Sequence, residues 1–154
     1  MAKHLPNVIC FGWPGDMGGA DTKLAHLLLL LHKHVSFTVV PNVSDQLKET
    51  KWREFLHSLG VRTCLTDQLP VRQCGYALGL SNQCFFTHGI ARQAKDRGLK
   101  VVWSSEMMWH HAGELEAVAH GLVDVVLYVS ELQRKALQLG YGKLPSFLTG
   151  NFIA

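Results

Sequence analysis

The densest chemistry in the chain is the segment Ser104 to His111, SSEMMWHH, which gathers hydroxyls, a carboxylate, an indole and two imidazoles. Such a mixture suits a sugar, because polar groups meet its hydroxyls while an aromatic face takes the C–H side of the ring. Glu106 is the carboxylate of the segment and fits either a general base or a hydroxyl acceptor. The other reading is an ordinary surface loop whose Met107, Met108 and Trp109 pack on the core. Neither a Ser-His-Asp order nor a GxSxG elbow occurs, so acyl transfer has no support.

A second candidate is the turn-rich stretch Trp13 to Ala20, WPGDMGGA. Its glycines reach positive φ easily and let backbone N–H groups approach a phosphate at a helix N-terminus. The GxxxxGK[ST] spacing of a P-loop is absent, because Thr22 precedes Lys23. The dinucleotide fingerprint GxGxxG is absent too, since Gly12, Gly15 and Gly18 are spaced by threes. Anion binding and a flexible connector both remain open for this loop.

Nine histidines invite a metal reading, which needs three or four converging ligands. His32 and His34 fall at the end of a helix, where the dipole favours a cation, and the adjacent His110 and His111 cannot face the same way. No metal or cofactor is therefore expected. The four cysteines, Cys10, Cys64, Cys74 and Cys84, lack zinc or redox spacing and read as buried reduced thiols.

These groups must be held by a scaffold, and 154 residues with 47% apolar and 18% charged side chains suit a single domain, 1–154. A net charge of +3, scattered along the chain, does not argue for nucleic acid. The apolar run Leu24 to Leu31 is too short to span a bilayer, and Met1 to Cys10 lacks the pattern of a secretory signal. A cytoplasmic location is expected.

Strands are expected at Asn7 to Gly12, Val35 to Val40, Val61 to Leu65, Tyr76 to Leu80, Lys100 to Ser104 and Val123 to Val129. Helices are expected at Thr22 to His34 with Asp21 as N-cap, around Trp52 to Leu59, from Asn82 to Arg97, and from Glu114 to His120. A last helix begins with Ser130 and Gln133 in a capping-box relation and ends at Gly140. Thr66 to Cys74 reads as loop, and the first helix, apolar on several faces, reads as heavily buried. Alternating elements with crossovers of this length imply an α/β fold, a Rossmann-like three-layer α/β/α sandwich with a mainly parallel sheet. Ligands bind such sheets at the carboxyl ends of the strands, which is where the Trp13 to Ala20 loop and the Ser104 to His111 segment fall.

Gly18-Gly19-Ala20 before a Leu-rich helix, VVWSSE at the fifth strand, DVVLYVSELQRKAL from Asp124 and the closing TGNFI occur in an order that resembles the N-terminal domain of GT-B fold glycosyltransferases, the family 4-like group. Asn151-Phe152-Ile153 looks like that family's Asn-x-Ile turn, and the resemblance spans nearly the whole chain. It implies two Rossmann-like domains facing each other over a cleft, of which this chain carries the acceptor-side one. The nucleotide-sugar donor would be held by a C-terminal domain absent from these residues, with Gly18 and Gly19 reaching over the donor phosphates. Where many members carry a histidine after the fifth strand this chain has Glu106 at or beside the position, and after the fourth strand it has Ser81 and Asn82. The family's Asp after the closing turn is replaced by Ala154.

The expected site joins the loops after strands one, four and five: Gly18 and Gly19 for phosphate, Glu106 for catalysis, and Ser81, Asn82, Ser105, Trp109 and His110 for the acceptor. The implied reaction is retaining transfer of a hexose from a nucleotide-sugar to a carbohydrate or other hydroxyl acceptor. The isolated chain is expected to be inactive, to bind nucleotide-sugar weakly at best and to self-associate through its exposed cleft face. Two other readings are a non-enzymatic partner module and a stand-alone nucleotide- or sugar-phosphate-binding protein.

Overall fold

The computed structural model describes residues 5–16, 18–69, 75–80 and 84–149. Among the described residues seven strands form one sheet: β1 (Asn7–Phe11), β2 (Ser36–Val40), β3 (Arg62–Thr63), β4 (Tyr76–Leu80), β5 (Lys100–Ser105), β6 (Val125–Tyr128) and β7 (Ser146–Leu148). Every pairing is parallel and the order is β3-β2-β1-β4-β5-β6-β7. The direction of strand addition reverses between β1 and β4. The carboxyl ends at that reversal form the natural ligand crevice of a Rossmann-like sheet.

The inner strands read as largely apolar runs because both faces of the sheet are covered there. Ile9, Phe11, Ala77, Val101, Trp103 and Val126 point to one core, shared with Phe85, Ala91, Leu137 and Tyr141. Cys10, Val39, Leu78 and Leu80 point to the other, shared with Leu24, Leu28 and Leu56. The helices are α1 (Gly19–Leu31), α2 (Thr50–Ser58), α3 (Cys84–Thr87), α4 (Ile90–Asp96), α5 (Glu114–Ala119) and α6 (Glu131–Tyr141). Helices α1 and α2 therefore cover one face and α3, α4 and α6 the other, which gives three layers.

Several boundaries differ from the sequence expectation. Helix α1 starts at Gly19, three residues before Thr22, so Asp21 lies inside its first turn and Gly18 occupies the cap. The helix is also less buried than its leucines suggest, with Leu29 and Leu30 exposed by 41% and 48%. The helix expected over 82–97 is two helices, broken at Gly89, whose φ of +70° no helix accommodates. Its first residues, Asn82 and Gln83, lie outside the described residues.

Helix α6 runs through Gly140 to Tyr141 and is capped by Gly142 at φ +62°. Gly140 is needed for a different reason: a Cβ there would lie 2.6 Å from His110 Nε2. Strand β3 has only two residues, a 3-10 turn occupies Ser44–Lys48, and β7 was not expected at all. No helix is long and apolar enough to cross a membrane among the described residues.

Candidate functional site

The loop after β1 enters α1 through Gly18, at φ +93°, and Gly19. A Cβ at either glycine would meet nothing within 4 Å, so both backbones face open space. Asp21 sits in the first turn, where partial burial, with a smaller contribution from Glu49, raises its carboxyl pKa. Lys23 takes the buried side of the helix, an unusual place for a cation so near the positive end of the dipole. Its compensation comes from across the sheet.

Lys23 Nζ donates to Glu106 Oε1 at 2.9 Å, and each side chain is only 8% exposed. Ser104 Oγ donates to the same oxygen at 2.7 Å. Oε2 accepts no hydrogen bond among the described residues. Lys23 also donates to Thr149 Oγ1 at 3.1 Å, and the Thr149 backbone N–H donates to Tyr128 O at 2.8 Å. One ammonium thus ties α1 to the end of β5 and to the residue that follows β7.

Above this tie lies a half-open pocket of about 450 Å³ lined by Gly18, Gly19, Ala20, Asp21, Glu106, Met107 and Val129. It sits at the carboxyl edge, where β1, β5 and β6 end. Chemically it offers two carboxylates as hydrogen-bond acceptors, the backbone of a helix entry and two apolar side chains. That lining can hold a ligand rich in hydroxyls.

Of the residues expected from sequence, Gly18, Gly19 and Glu106 meet at this pocket. Ser105 does not: it is 2% exposed, its carbonyl accepting from Gln133 Nε2 at 2.7 Å and its hydroxyl lying 3.4 Å from the Tyr141 hydroxyl. His110 turns inward, bonding Glu114 through Nδ1 and lying edge-on to Tyr141 at 5.0 Å. His111 packs the other way, edge-on to Trp103 at 5.5 Å. Trp109 is 58% exposed and does not line the pocket, and with Met107 and Met108 also exposed this tip does not pack on the core. Ser81, Asn82 and the closing Asn151-Phe152-Ile153 lie outside the described residues.

A buried network stabilises the segment after β5. Glu114 is fully buried, and the Tyr141 hydroxyl donates to its Oε2 at 2.9 Å. Burial pushes the Tyr141 hydroxyl pKa above its ordinary value. Ser130 Oγ accepts from Gln133 N–H at 3.1 Å, half of the expected capping box. The Gln133 side chain turns instead to Val129, Ser105 and Met107. Among the described residues no three His, Cys, Asp or Glu side chains converge on a metal position.

Sequence reasoning missed Lys23 and Gln133. Lys23 carried one signal, a charge within a helix otherwise rich in leucine. Gln133 carried only its place in the cap. The fold is that of an α/β Rossmann-like protein with a half-open pocket at the carboxyl edge of its parallel sheet. Compared with protein-family models and with curated proteins, the chain matches none.

Proposed function

We propose that the chain is the acceptor-side domain of a retaining glycosyltransferase of the GT-B kind, moving a hexose from a nucleotide-sugar to a hydroxyl acceptor. One observation supports this most: the glycine entry to α1 and a buried carboxylate from the end of β5 share a single pocket at the carboxyl edge of the sheet. In this reading Gly18 and Gly19 admit the donor phosphates, the donor being held by a second, facing domain. Glu106 Oε2 accepts from the acceptor hydroxyl, while Oε1 remains with Lys23 and Ser104.

The same edge exposes Met108, Trp109 and Leu132. A facing domain would cover them, and so would the partner of a non-enzymatic binding module. A transfer assay separates the two: the intact gene product is incubated with labelled UDP- and GDP-hexoses and a panel of carbohydrate and lipid-alcohol acceptors. Transfer that disappears when Gly19 is replaced by Trp supports the transferase. Absence of transfer from every donor, with the protein folded, removes the enzyme reading.

A further inference from the structure

Gln133 is fully buried, and its amide lies where the ladder between β5 and β6 stops. The last paired residues of that ladder are Ser105 and Tyr128. Beyond them Gln133 Nε2 donates to the carbonyls of Ser105 at 2.7 Å and Met107 at 2.9 Å. Its Oε1 accepts from Val129 N–H at 2.8 Å. Met107 and Val129 both line the pocket.

We propose that Gln133 is a positioning residue that fixes the separation of Met107 and Val129 and so sets the size of the hydroxyl-bearing ligand the pocket admits. In effect the side chain continues the sheet by one rung after the backbones part. Only a primary amide offers two donors and an acceptor in one plane, and asparagine would be a methylene too short. The rung is firmly placed because Ser130 Oγ holds the Gln133 backbone N–H in the first turn of α6. This inference rests on the reading of the pocket as a site for sugar hydroxyls.

Two variants separate the contributions. Gln133→Met keeps the volume and loses all three bonds. Gln133→Glu keeps an acceptor for Val129 but sets a carboxylate against two carbonyls. In the full chain labelled with nitrogen-15, Gln133→Met should speed amide exchange at Val129 about fivefold to tenfold, the worth of one hydrogen bond. Exchange at Val126, whose N–H is held by Pro145 O, should not change. Gln133→Glu should keep Val129 protected and displace the Met107 and Met108 signals.

D-glucose and D-mannose are then titrated. Wild type should show shifts at Gly18, Gly19 and Val129, and both variants should bind about fivefold more weakly or worse, the same hydrogen-bond scale. Unchanged Val129 exchange in Gln133→Met, or equal hexose affinity in all three proteins, overturns the proposal. If Gln133→Met fails to fold, the Met107 and Met108 signals and the hexose affinity of Gln133→Glu decide it. A wild type with no hexose shifts sinks the sugar reading of the pocket, and amide exchange still decides the role of Gln133.

Discussion

Lys23 and Glu106, 83 residues apart in sequence, form an ion pair at 2.9 Å with each side chain 8% exposed. Burial of both partners removes the solvent screening that makes most surface pairs worth little. Each charge depends on the other, because neither has water enough to stand alone.

Removing one partner should therefore cost more than removing both. Lys23→Met leaves the Glu106 carboxylate buried without its cation and should lower stability by about 3–5 kcal/mol. The double variant Lys23→Met with Glu106→Leu should recover a large part of that loss. Urea denaturation of the two single variants and the double variant measures the coupling, and simple additivity would contradict a mutual dependence.

Glu106 has given one oxygen to Lys23 and Ser104, which suits a positioning group better than a proton acceptor. Under the proposed transferase reading, Glu106→Gln should reduce transfer by less than about 10²-fold, the lower end of what a general base contributes. A larger fall, with substrate affinity unchanged, would instead make Glu106 the base.

Two glycines should respond in opposite ways to alanine. At Gly140 the new Cβ would meet His110, which is held by Glu114 and Tyr141 and cannot swing aside, so overpacking should cost about 1–3 kcal/mol. At Gly19, in a helical turn facing open space, alanine should be neutral or stabilising by up to about 1 kcal/mol. Thermal melts of the two variants test the contrast.

Alkaline pH should destabilise the fold through Cys10. Complete burial pushes its thiol from 9.0 up to about 12, so between those values the unfolded chain releases a proton that the folded chain keeps. Stability is whole below pH 9 and falls as pH rises toward 12, with a slope of at most about 1.4 kcal/mol per pH unit from this group. Tyr141, also raised by burial, adds in the same direction. Cys10→Ala should flatten the decline in denaturation curves recorded across that range, and an unaltered slope would assign it elsewhere.

The elements most legible in sequence were strands buried on both faces. Tyr76–Leu80 has the expected bounds, and β1 and β5 differ by a residue at one end, because unbroken apolar runs between turn residues leave little choice. Strand β7 escaped notice because Ser146, Phe147 and Leu148 are all exposed at the sheet edge, where no burial pattern is imposed. The glycine entry and Glu106 were legible because strand order alone brings the carboxyl ends of β1 and β5 to one edge. Lys23 and Gln133 were not, since their partners are 83 and 28 residues away and no local period encodes such a contact.

Thr149 gives the molecule a schedule. Lys23 belongs to the first helix made, yet one of its hydrogen bonds waits for a residue 126 positions later. A chain emerging from the ribosome amino end first can pair β1 with β2 early, but the base of the crevice closes only after β7 has joined the sheet. Long-range contacts of this kind are slow to form, and domains complete as units once their last element is available. In refolding followed residue by residue, amides of β1 and β2 should gain protection before the α1 entry does, and the crevice should be the last part of the domain to acquire its shape.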